Sequence, residues 1–156
     1  MTLALARVHA FPAQSLAEIL RESQGEGFRH VARLVHEWES GANRFAKPGE
    51  LLLALRRGSS SLAVCGLNLD PFARSESIGR LRHLYVARAW RHQGWGRRMV
   101  RVIASQASAR FRVLRLRTDS PAAAAFYARL GFREVAEPDA THVLSLARFD
   151  PGPAAV

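Results

Sequence analysis

Residues 91–98 have the sequence Arg-His-Gln-Gly-Trp-Gly-Arg-Arg and join a strand-like run, residues 81–86, to a segment with helical periodicity. Gly94 and Gly96 allow the main chain to approach a ligand closely and to take conformations that a side chain would forbid. A helix that begins at about Gly94 leaves the N–H groups of its first turn without internal acceptors. These donors and the positive end of the helix dipole favour an anion. The stretch therefore predicts a phosphate-binding turn, surrounded by its own arginines.

Two common phosphate-binding loops are excluded by the residues around these glycines. No Gly-Lys-Ser/Thr follows them, so the turn is not that of a nucleoside triphosphatase. A dinucleotide fingerprint needs a third glycine where Met99 stands, and an early strand of a repeated β-α-β unit.

The turn resembles the Arg/Gln-x-x-Gly-x-Gly/Ala signature of the GCN5-related N-acetyltransferase (GNAT) superfamily, with Arg91, Gly94 and Gly96 at its three defined positions. Residues 122–132, AAAAFYARLGF, resemble a second motif of that superfamily, A-x-x-F-Y-x-x-x-G-F. The two motifs stand in the family's order and together cover about residues 78–135. Two independent motifs at the expected distance are far more specific than one Gly-x-Gly turn.

The resemblance implies an α/β fold with a mixed sheet, the GNAT acyl-CoA N-acyltransferase fold, in which six to seven central strands are flanked by about four helices. It implies a single acetyltransferase domain over residues 1–150, followed by a loose tail at 151–156. Acetyl-CoA is then the co-substrate, and no metal is required.

The coenzyme-binding residues follow from the same resemblance. In the family, the strand that leads into the turn is splayed from the next strand, and its backbone pairs with the pantetheine arm. Ser120 stands where the second motif often has a coenzyme-contacting asparagine. The predicted strand contacts are Leu84, Tyr85 and Val86, and the predicted pyrophosphate contacts are Arg91, His92, Gln93, Gly94, Trp95, Gly96 and Arg97.

The formal net charge of +10 raises the alternative of a nucleic-acid-binding protein. Lys47 is the single lysine among 23 basic residues, and the arginines are spread along the chain. They form no basic tail and no basic run interleaved with aromatic residues, so nucleic-acid binding is not favoured. The arginines clustered around the turn fit a coenzyme that carries several phosphate charges.

Length and composition fit a soluble protein with one core. The chain has 156 residues, of which 48% are hydrophobic. No segment approaches the roughly 20 apolar residues of a membrane span, and the N-terminus lacks a basic region followed by an apolar one. Cys65, the single cysteine, has apolar neighbours and is predicted to be a small buried side chain. A reducing, cytoplasmic location is expected.

Hydrophobic periodicity and turn signals predict the element order β-α-α-β-β-β-α-β-α-β-β, with parallel pairing near the centre of the sheet. Residues 15–18 form a capping-box sequence, and Ser120 precedes Pro121 at a clear helix start. The predicted segments are strand 3–8, a helix from about Leu16 to the break at Gly25 and Gly27, a helix through Val31 and Trp38 ending at Gly41, strands 51–55, 61–69 and 78–86, helix 94–110, strand 111–118, helix 121–130 ending at Gly131, and strands 132–135 and 142–147.

Acyl transfer from a thioester to an amine needs a neutral nucleophile, a polarised carbonyl and a proton for the departing thiolate. The resemblance assigns the proton to Tyr127, whose counterpart in similar enzymes reaches the coenzyme sulfur. A phenol with a pKa of about 10 is well matched to a thiolate.

The general base is left open. Similar enzymes often have a glutamate on the strand before the turn, but Arg80, Arg82 and His83 stand there. The candidates are Asp70, His83, His142 and a water held by several of them. The six histidines show no spacing with Asp, Glu or Cys typical of metal ligands, so no metal site is predicted.

The acceptor is predicted only as a primary amine, on a small molecule or a peptide. In an acetyltransferase of this type the loop 42–49 borders the acceptor pocket, and Glu37, Trp38, Asn43 and Arg44 are candidates to face it. The other interpretation is a core tryptophan beside solvated polar residues. The family also suggests a homodimer.

The predicted function is an N-acetyltransferase that moves an acetyl group from acetyl-CoA to the amine by direct attack in a ternary complex. The missing strand glutamate leaves one alternative, a regulatory module that binds the coenzyme without catalysis. The basic nucleic-acid-binding protein is a second alternative.

Overall fold

The elements follow the predicted order. The structure is a computed structural model that describes residues 2–10 and 13–149, so the predicted tail at 151–156 lies outside it. The strands are β1 (Leu3–Arg7), β2 (Leu51–Arg57), β3 (Ser60–Leu69), β4 (Ile78–Val86), β5 (Val113–Leu116), β6 (Arg133–Glu134) and β7 (His142–Ser145), and the helices are α1 (Ala17–Gly25), α2 (His30–Ser40), α3 (Trp95–Ala107) and α4 (Pro121–Arg129). None of these four helices in the described part of the chain is long and apolar enough to cross a membrane.

All seven strands belong to one mixed sheet with the order β1-β2-β3-β4-β5-β7-β6. The central pair β4–β5 is parallel and the neighbouring pairs are antiparallel. The parallel ladder covers only Ile78–Arg80 against Val113–Arg115. From Leu81 onward β4 is therefore unpaired on its β5 side, which leaves a gap at the centre of the sheet. The predicted fold class and the central parallel pairing are confirmed.

The sheet is buried on both faces, which explains the continuous apolar runs in β2 and β3. One face packs against α3 and α4, the other against α1 and α2. Fully buried side chains of the first core include Leu55, Leu67, Met99, Ile103 and Leu114, and those of the second include Val31, Leu34, Leu52, Ala54 and Val64.

The helix ends are partly as predicted. Ser120 caps α4 by accepting a hydrogen bond from Ala123 N at 3.2 Å. Gly41 and Gly131, with φ of 80° and 97°, take the left-handed conformation that ends a helix.

The predicted capping box at residues 15–18 is wrong. A 3-10 turn, Ala13–Leu16, precedes α1, and no side chain caps the helix at Leu16. The Leu16 side chain is instead buried in the second core, so packing sets the start of this helix.

The last strands are shorter than predicted. β5 begins only at Val113, because Phe111 N still donates to Ala107 O at the end of α3. Only two residues of 132–135 pair as β6, and Leu146–Arg148 forms a 3-10 turn.

A β-bulge interrupts β4 where it faces β3. Gly66 pairs with Arg82 and Val64 with Tyr85, so Cys65 lies opposite two residues, His83 and Leu84. His83 has φ of 61°, which is rare for a residue with a side chain. His83 Nε2 lies 3.8 Å from Glu37 Oε2 of α2, and the His30 ring of the same helix lies 5.7 Å from the Tyr85 ring, so the bulge faces α2. Bulges re-aim side chains in this way, often beside functional sites.

Glu26, at the end of α1, anchors the residues that lead into the phosphate turn. Arg91 donates to it twice, from Nη1 to Oε2 at 2.9 Å and from Nη2 to Oε1 at 2.6 Å. The Tyr85 hydroxyl lies 2.5 Å from the same Oε1. Arg91 Nε also donates to Val86 O at 2.8 Å. These bonds, mainly those from Arg91, lower the pKa of Glu26 to about 2. We call this group of contacts the Glu26–Arg91 clamp.

We expect Glu26→Gln to lower the free energy of unfolding at pH 7 by about 1.5–3 kcal/mol, the range for a hydrogen bond to a charged group. A depressed carboxyl pKa stabilises the fold above the unfolded-state value of 4.5, and this stabilisation is lost as the pH falls toward about 2. In urea titrations, the difference between wild type and variant should therefore be constant above pH 5 and shrink below it.

The matched control is Glu76→Gln, which removes an exposed loop carboxylate and should change the stability little. An equal effect of the two substitutions would contradict a specific role for the clamp.

Candidate active site

The predicted phosphate turn connects β4 to α3 with an open helix start. His92 and Gly94 both have left-handed φ values, 60° and 84°. The helical hydrogen bonds of α3 begin with Arg98 N donating to Gly94 O at 3.0 Å. The N–H groups of residues 95–97 precede that bond and have no intrahelical acceptor. They form a set of aligned donors at the positive end of a 13-residue helix.

The two glycines serve different purposes. A Cβ at Gly94 would meet open space, so its left-handed backbone is the reason for glycine there. A Cβ at Gly96 would lie 3.5 Å from Phe126 Cζ and 3.7 Å from Val86 Cγ2. The start of α3, the end of β4 and α4 therefore meet at Gly96, and both motifs of the sequence lie together.

The arginines around the turn are held differently. The Arg91 guanidinium is engaged in the Glu26–Arg91 clamp and lies over the Tyr85 ring at 5.3 Å. Arg98 lies over the Trp95 ring, also at 5.3 Å. Arg97 is exposed. Arg91 thus fixes the base of the turn, and Arg97 is the cation on its outer side.

The predicted strand contacts differ in where their backbone groups point. Ala87 N donates to Leu62 O at 2.8 Å, and Val86 is paired with Ala63. Antiparallel pairs alternate between bonded and non-bonded, so the N–H and C=O of Val86 face the gap, while those of Tyr85 face β3. The Val86 carbonyl accepts from Arg91, which leaves its N–H directed into the gap. Leu84 belongs to the bulge.

Tyr127 lies on α4 in the first core and is 8% exposed. Its ring packs against Phe126, Phe132 and His142, with centroids 5.0, 5.4 and 6.4 Å away. Burial raises the pKa of the Tyr127 hydroxyl above its usual 10, so it keeps its proton at neutral pH. Cys65 is also buried, as predicted, and burial raises the pKa of its thiol.

The three side-chain candidates for the general base, Asp70, His83 and His142, are all buried. Asp70 is fully enclosed: it pairs with Arg80 at 3.3 Å and Arg115 at 3.7 Å, and it accepts hydrogen bonds from two backbone N–H groups of the following turn. His142 is buried, with Nδ1 2.8 Å from its neighbour's hydroxyl. Burial and the nearby guanidinium of Arg82 lower the pKa of His83 to about 3.

A cleft of about 490 Å³ opens beside the α2–β2 loop. Three of the predicted acceptor-side residues, Glu37, Asn43 and Arg44, line it, together with Arg82 and Lys47. Trp38 does not: its ring stacks on Phe45 at 6.4 Å, as in the core interpretation. The volume suits a small ligand or a peptide end.

An amide and carboxylate network shapes the floor of this cleft. Asn43 and Asn68 exchange reciprocal side-chain hydrogen bonds of 2.8 and 2.9 Å. Glu50 accepts from Asn68 Nδ2 and from Leu69 N, both at 2.9 Å. Glu50 is a site residue that was not predicted, although the β2–β3 hairpin register that pairs Leu51 with Leu67 places Glu50 opposite Asn68.

Within residues 2–10 and 13–149, no three His, Cys, Asp or Glu side chains are grouped so that they could hold a metal ion.

A family model described as the acetyltransferase (GNAT) domain matches residues 48–134. No curated protein matches the chain in sequence.

Several solved structures share the whole fold. A candidate acetyltransferase from Exiguobacterium sp. 255-15 is 27% identical, with a TM-score of 0.83 over 94% of this chain and 95% of that one. A GNAT-family acetyltransferase from Staphylococcus aureus Mu50 is 16% identical, with a TM-score of 0.73 over 93% and 99%. A mutant AtaT toxin, bound to the C-terminus of the antitoxin AtaR and acetyl-CoA, is 17% identical, with a TM-score of 0.66 over 94% and 95%.

The family match covers more than half of the chain and includes the turn, the gap in the sheet and all of α4. Together with the seven-stranded sheet, it shows that this protein belongs to the GNAT acetyltransferase family.

Proposed function

We propose that this protein is an acetyl-CoA-dependent N-acetyltransferase that transfers the acetyl group directly to a primary amine in a ternary complex. The observation that carries the proposal is the open start of α3 beside the gap between β4 and β5, with Phe126 of the second motif in contact distance of Gly96. The coenzyme has phosphates, which the open helix start can bind, and a thioester arm, which the gap can hold. A coenzyme site therefore needs these two features side by side. Family membership supports acetyl transfer in general.

The coenzyme is proposed to bind with its phosphates at the turn and its arm in the gap. The N–H groups of residues 95–97, with the exposed His92, Gln93 and Arg97, would hold the pyrophosphate. The free N–H of Val86 would pair with the arm as a neighbouring strand would. Ser120, exposed at the start of α4, stays a predicted contact. Acetyl-CoA in the AtaT structure supports the same choice of co-substrate.

Tyr127 is proposed to protonate the leaving thiolate. Burial raises the pKa of its hydroxyl, so Tyr127 is in the acid form at neutral pH and has a proton to donate as the thiolate leaves. Backbone N–H groups along the unpaired edge of β4 would polarise the thioester carbonyl.

The acceptor, the cellular location, the domain bounds and the oligomeric state are proposed from the sequence alone. The acceptor is a small-molecule or peptide amine, the protein works in the cytoplasm as a single domain over residues 1–150, and a homodimer is the family's suggestion. The second candidate function, a coenzyme-binding regulatory module, is favoured by one observation: the strand position that often carries a glutamate holds Arg82 and a His83 of pKa about 3.

We expect Gly96→Glu to weaken acetyl-CoA binding by a factor of about 30 or more, equivalent to about 2 kcal/mol. The new side chain meets Phe126 and Val86, and its carboxylate repels the phosphates at the helix start. Isothermal titration calorimetry with acetyl-CoA measures the effect.

The matched control is Gly25→Glu, since a Cβ there meets nothing within 4 Å. It should bind like the wild type. No binding by the wild type itself would refute both the enzyme and the regulatory module, and duplex DNA would be titrated next at low and high salt.

We expect Tyr127→Phe to lower kcat about 10²-fold, at the low end of general acid contributions, without weakening acetyl-CoA binding. Phenylalanine preserves the ring packing against Phe126 and Phe132. Thiol release from acetyl-CoA is followed with an amine found in a broad acceptor screen. An unchanged kcat would remove Tyr127 from the mechanism.

A further inference from the structure

The cleft beside the α2–β2 loop carries more positive than negative charge. Three cationic side chains line it, Arg44 and Lys47 from the loop and Arg82 from β4. Two carboxylates line it as well, Glu37 from α2 and Glu50 from the end of the loop. The charge that a ligand meets therefore depends on how the protein itself uses these two carboxylates.

Glu50 is occupied by the protein's own N–H donors. One of its carboxylate oxygens accepts from Lys47 N at 3.1 Å, and the other accepts from Asn68 Nδ2 and Leu69 N, both at 2.9 Å. The residue is buried in the floor of the cleft. Its carboxylate thus holds the floor together and has little capacity left for the cations of the walls.

The second carboxylate belongs to one wall of the cleft. Glu37 pairs with Arg82 at 3.5 Å, and both side chains are partly exposed. On the opposite wall, Arg44 and Lys47 are exposed. No carboxylate of the described residues forms an ion pair with either of them. The loop wall of the cleft is therefore a pair of cations without a counter-charge.

Both cations extend from a backbone that is held in place. Arg44 Nε donates to Trp38 O at 3.1 Å, which leaves its two Nη groups as donors. Two Nη groups of one guanidinium fit two oxygens of a carboxylate or a phosphate. The backbone of Lys47 is fixed by Glu50, whose N–H donates to Lys47 O at 2.9 Å.

The loop adopts a strained conformation between the two cations. Phe45 has φ of 52°, which is unfavourable for a bulky side chain and is typical of functional sites. Its ring is buried, and a Cβ added at Gly66 would lie only 2.5 Å from it, so Gly66 leaves the space that the ring fills. Phe45 N also donates to Asn43 Oδ1 at 3.0 Å. These contacts fix the conformation that brings Arg44 and Lys47 to one wall.

The excess charge discriminates between amines. A primary amine arrives as an ammonium ion at neutral pH, and a positively charged cleft repels it. An oxyanion on the same molecule reverses that effect, because it pairs with the two cations of the loop wall. A cleft of about 490 Å³ holds a molecule of metabolite size.

We propose that the acceptor is a small molecule that carries an oxyanion, a carboxylate or a phosphate, in addition to its primary amine, and that Arg44 and Lys47 bind this oxyanion. The inference rests on the proposed acetyltransferase function and narrows its acceptor. With the oxyanion at the loop wall, the amine extends toward Arg82. That residue belongs to the unpaired part of β4, which borders the gap proposed for the coenzyme arm.

Lys47 provides a spectroscopic probe inside the cleft. It is the single lysine among 23 basic residues, so ¹³C-lysine labelling gives one Cε resonance for the whole chain. At saturating CoA, that resonance should shift saturably with γ-aminobutyrate, whereas butylamine, which has the same chain length but no carboxylate, should not shift it. Phosphorylethanolamine and ethanolamine form a second matched pair, which tests a phosphate in place of the carboxylate.

Two arginine variants make the test specific. Arg44→Gln should weaken binding of the anionic amine about tenfold, because it removes a charged partner of the oxyanion. Arg21→Gln is the matched control, since Arg21 is exposed on α1, its Nε also donates to a backbone carbonyl, and it does not line the cleft. This control causes the same change in net charge and should leave the affinity as in the wild type. In acetylation assays, Arg44→Gln should raise KM for the anionic amine and not for its neutral counterpart.

The outcomes separate this inference from the proposed function. Equal shifts with anionic and neutral amines, no shift with either anionic amine, or equal effects of the two arginine variants would overturn the role of Arg44 and Lys47. Binding of acetyl-CoA in calorimetry would then still support the coenzyme site. No binding of acetyl-CoA by the wild type overturns the proposed function itself. A shift with only one of the two anionic amines supports the inference and identifies the oxyanion as carboxylate or phosphate.

Discussion

Three residue pairs, Ile78–Arg80 against Val113–Arg115, are the whole of the parallel contact between β4 and β5. They join an antiparallel half of the sheet, β1 to β4, to another, β5 to β7. Because the contact is so short, the strands separate from Leu81 onward and expose main-chain groups at the centre of the protein. The start of α3, the end of β4 and α4 all border that opening, so the candidate site is a consequence of incomplete pairing.

An opening at the centre of a sheet is costly unless its walls are held from outside. On one side the clamp of Arg91 by Glu26 fixes the last residues of β4 and the turn. Further along β4, Glu37 of α2 lies 3.5 Å from Arg82 and 3.8 Å from His83, which holds the strand against that helix. At the last residue pair of the ladder, Asp70 forms ion pairs with both Arg80 and Arg115 across the two strands. The contacts that keep the opening rigid are thus ionic or strongly polar. Apolar side chains in their place would pack into the opening and fill it.

Local signals in the sequence were enough to predict the order of the elements and the location of the turn. The glycine pair and the capping serine depend on backbone chemistry within a few residues, and Gly94 and Ser120 behave as predicted. The capping box predicted at residues 15–18 is absent, because the capping pattern competes with the burial of Leu16, and that burial depends on tertiary packing. Tertiary packing also decides where the Arg91 side chain binds. Its partner Glu26 is 65 residues away in sequence, so residues near the turn could not predict the Glu26–Arg91 clamp. Glu37 and His83 are equally remote, and only the bulge brings them together.

The scarcity of lysine has a chemical meaning in a protein for which acetyl-CoA, a reactive thioester, is the proposed co-substrate. Guanidinium groups stay protonated and are poor nucleophiles, whereas a lysine amine can be acylated without a catalyst. The 23 basic residues include one lysine, so the surface carries a large positive charge with almost no side-chain amine that acetyl-CoA can modify. That one amine, Lys47, lines the acceptor cleft. Acetylation of a lysine side chain on this protein can therefore occur only there, and mass spectrometry of a single peptide would report how far the proposed co-substrate reacts with the protein itself.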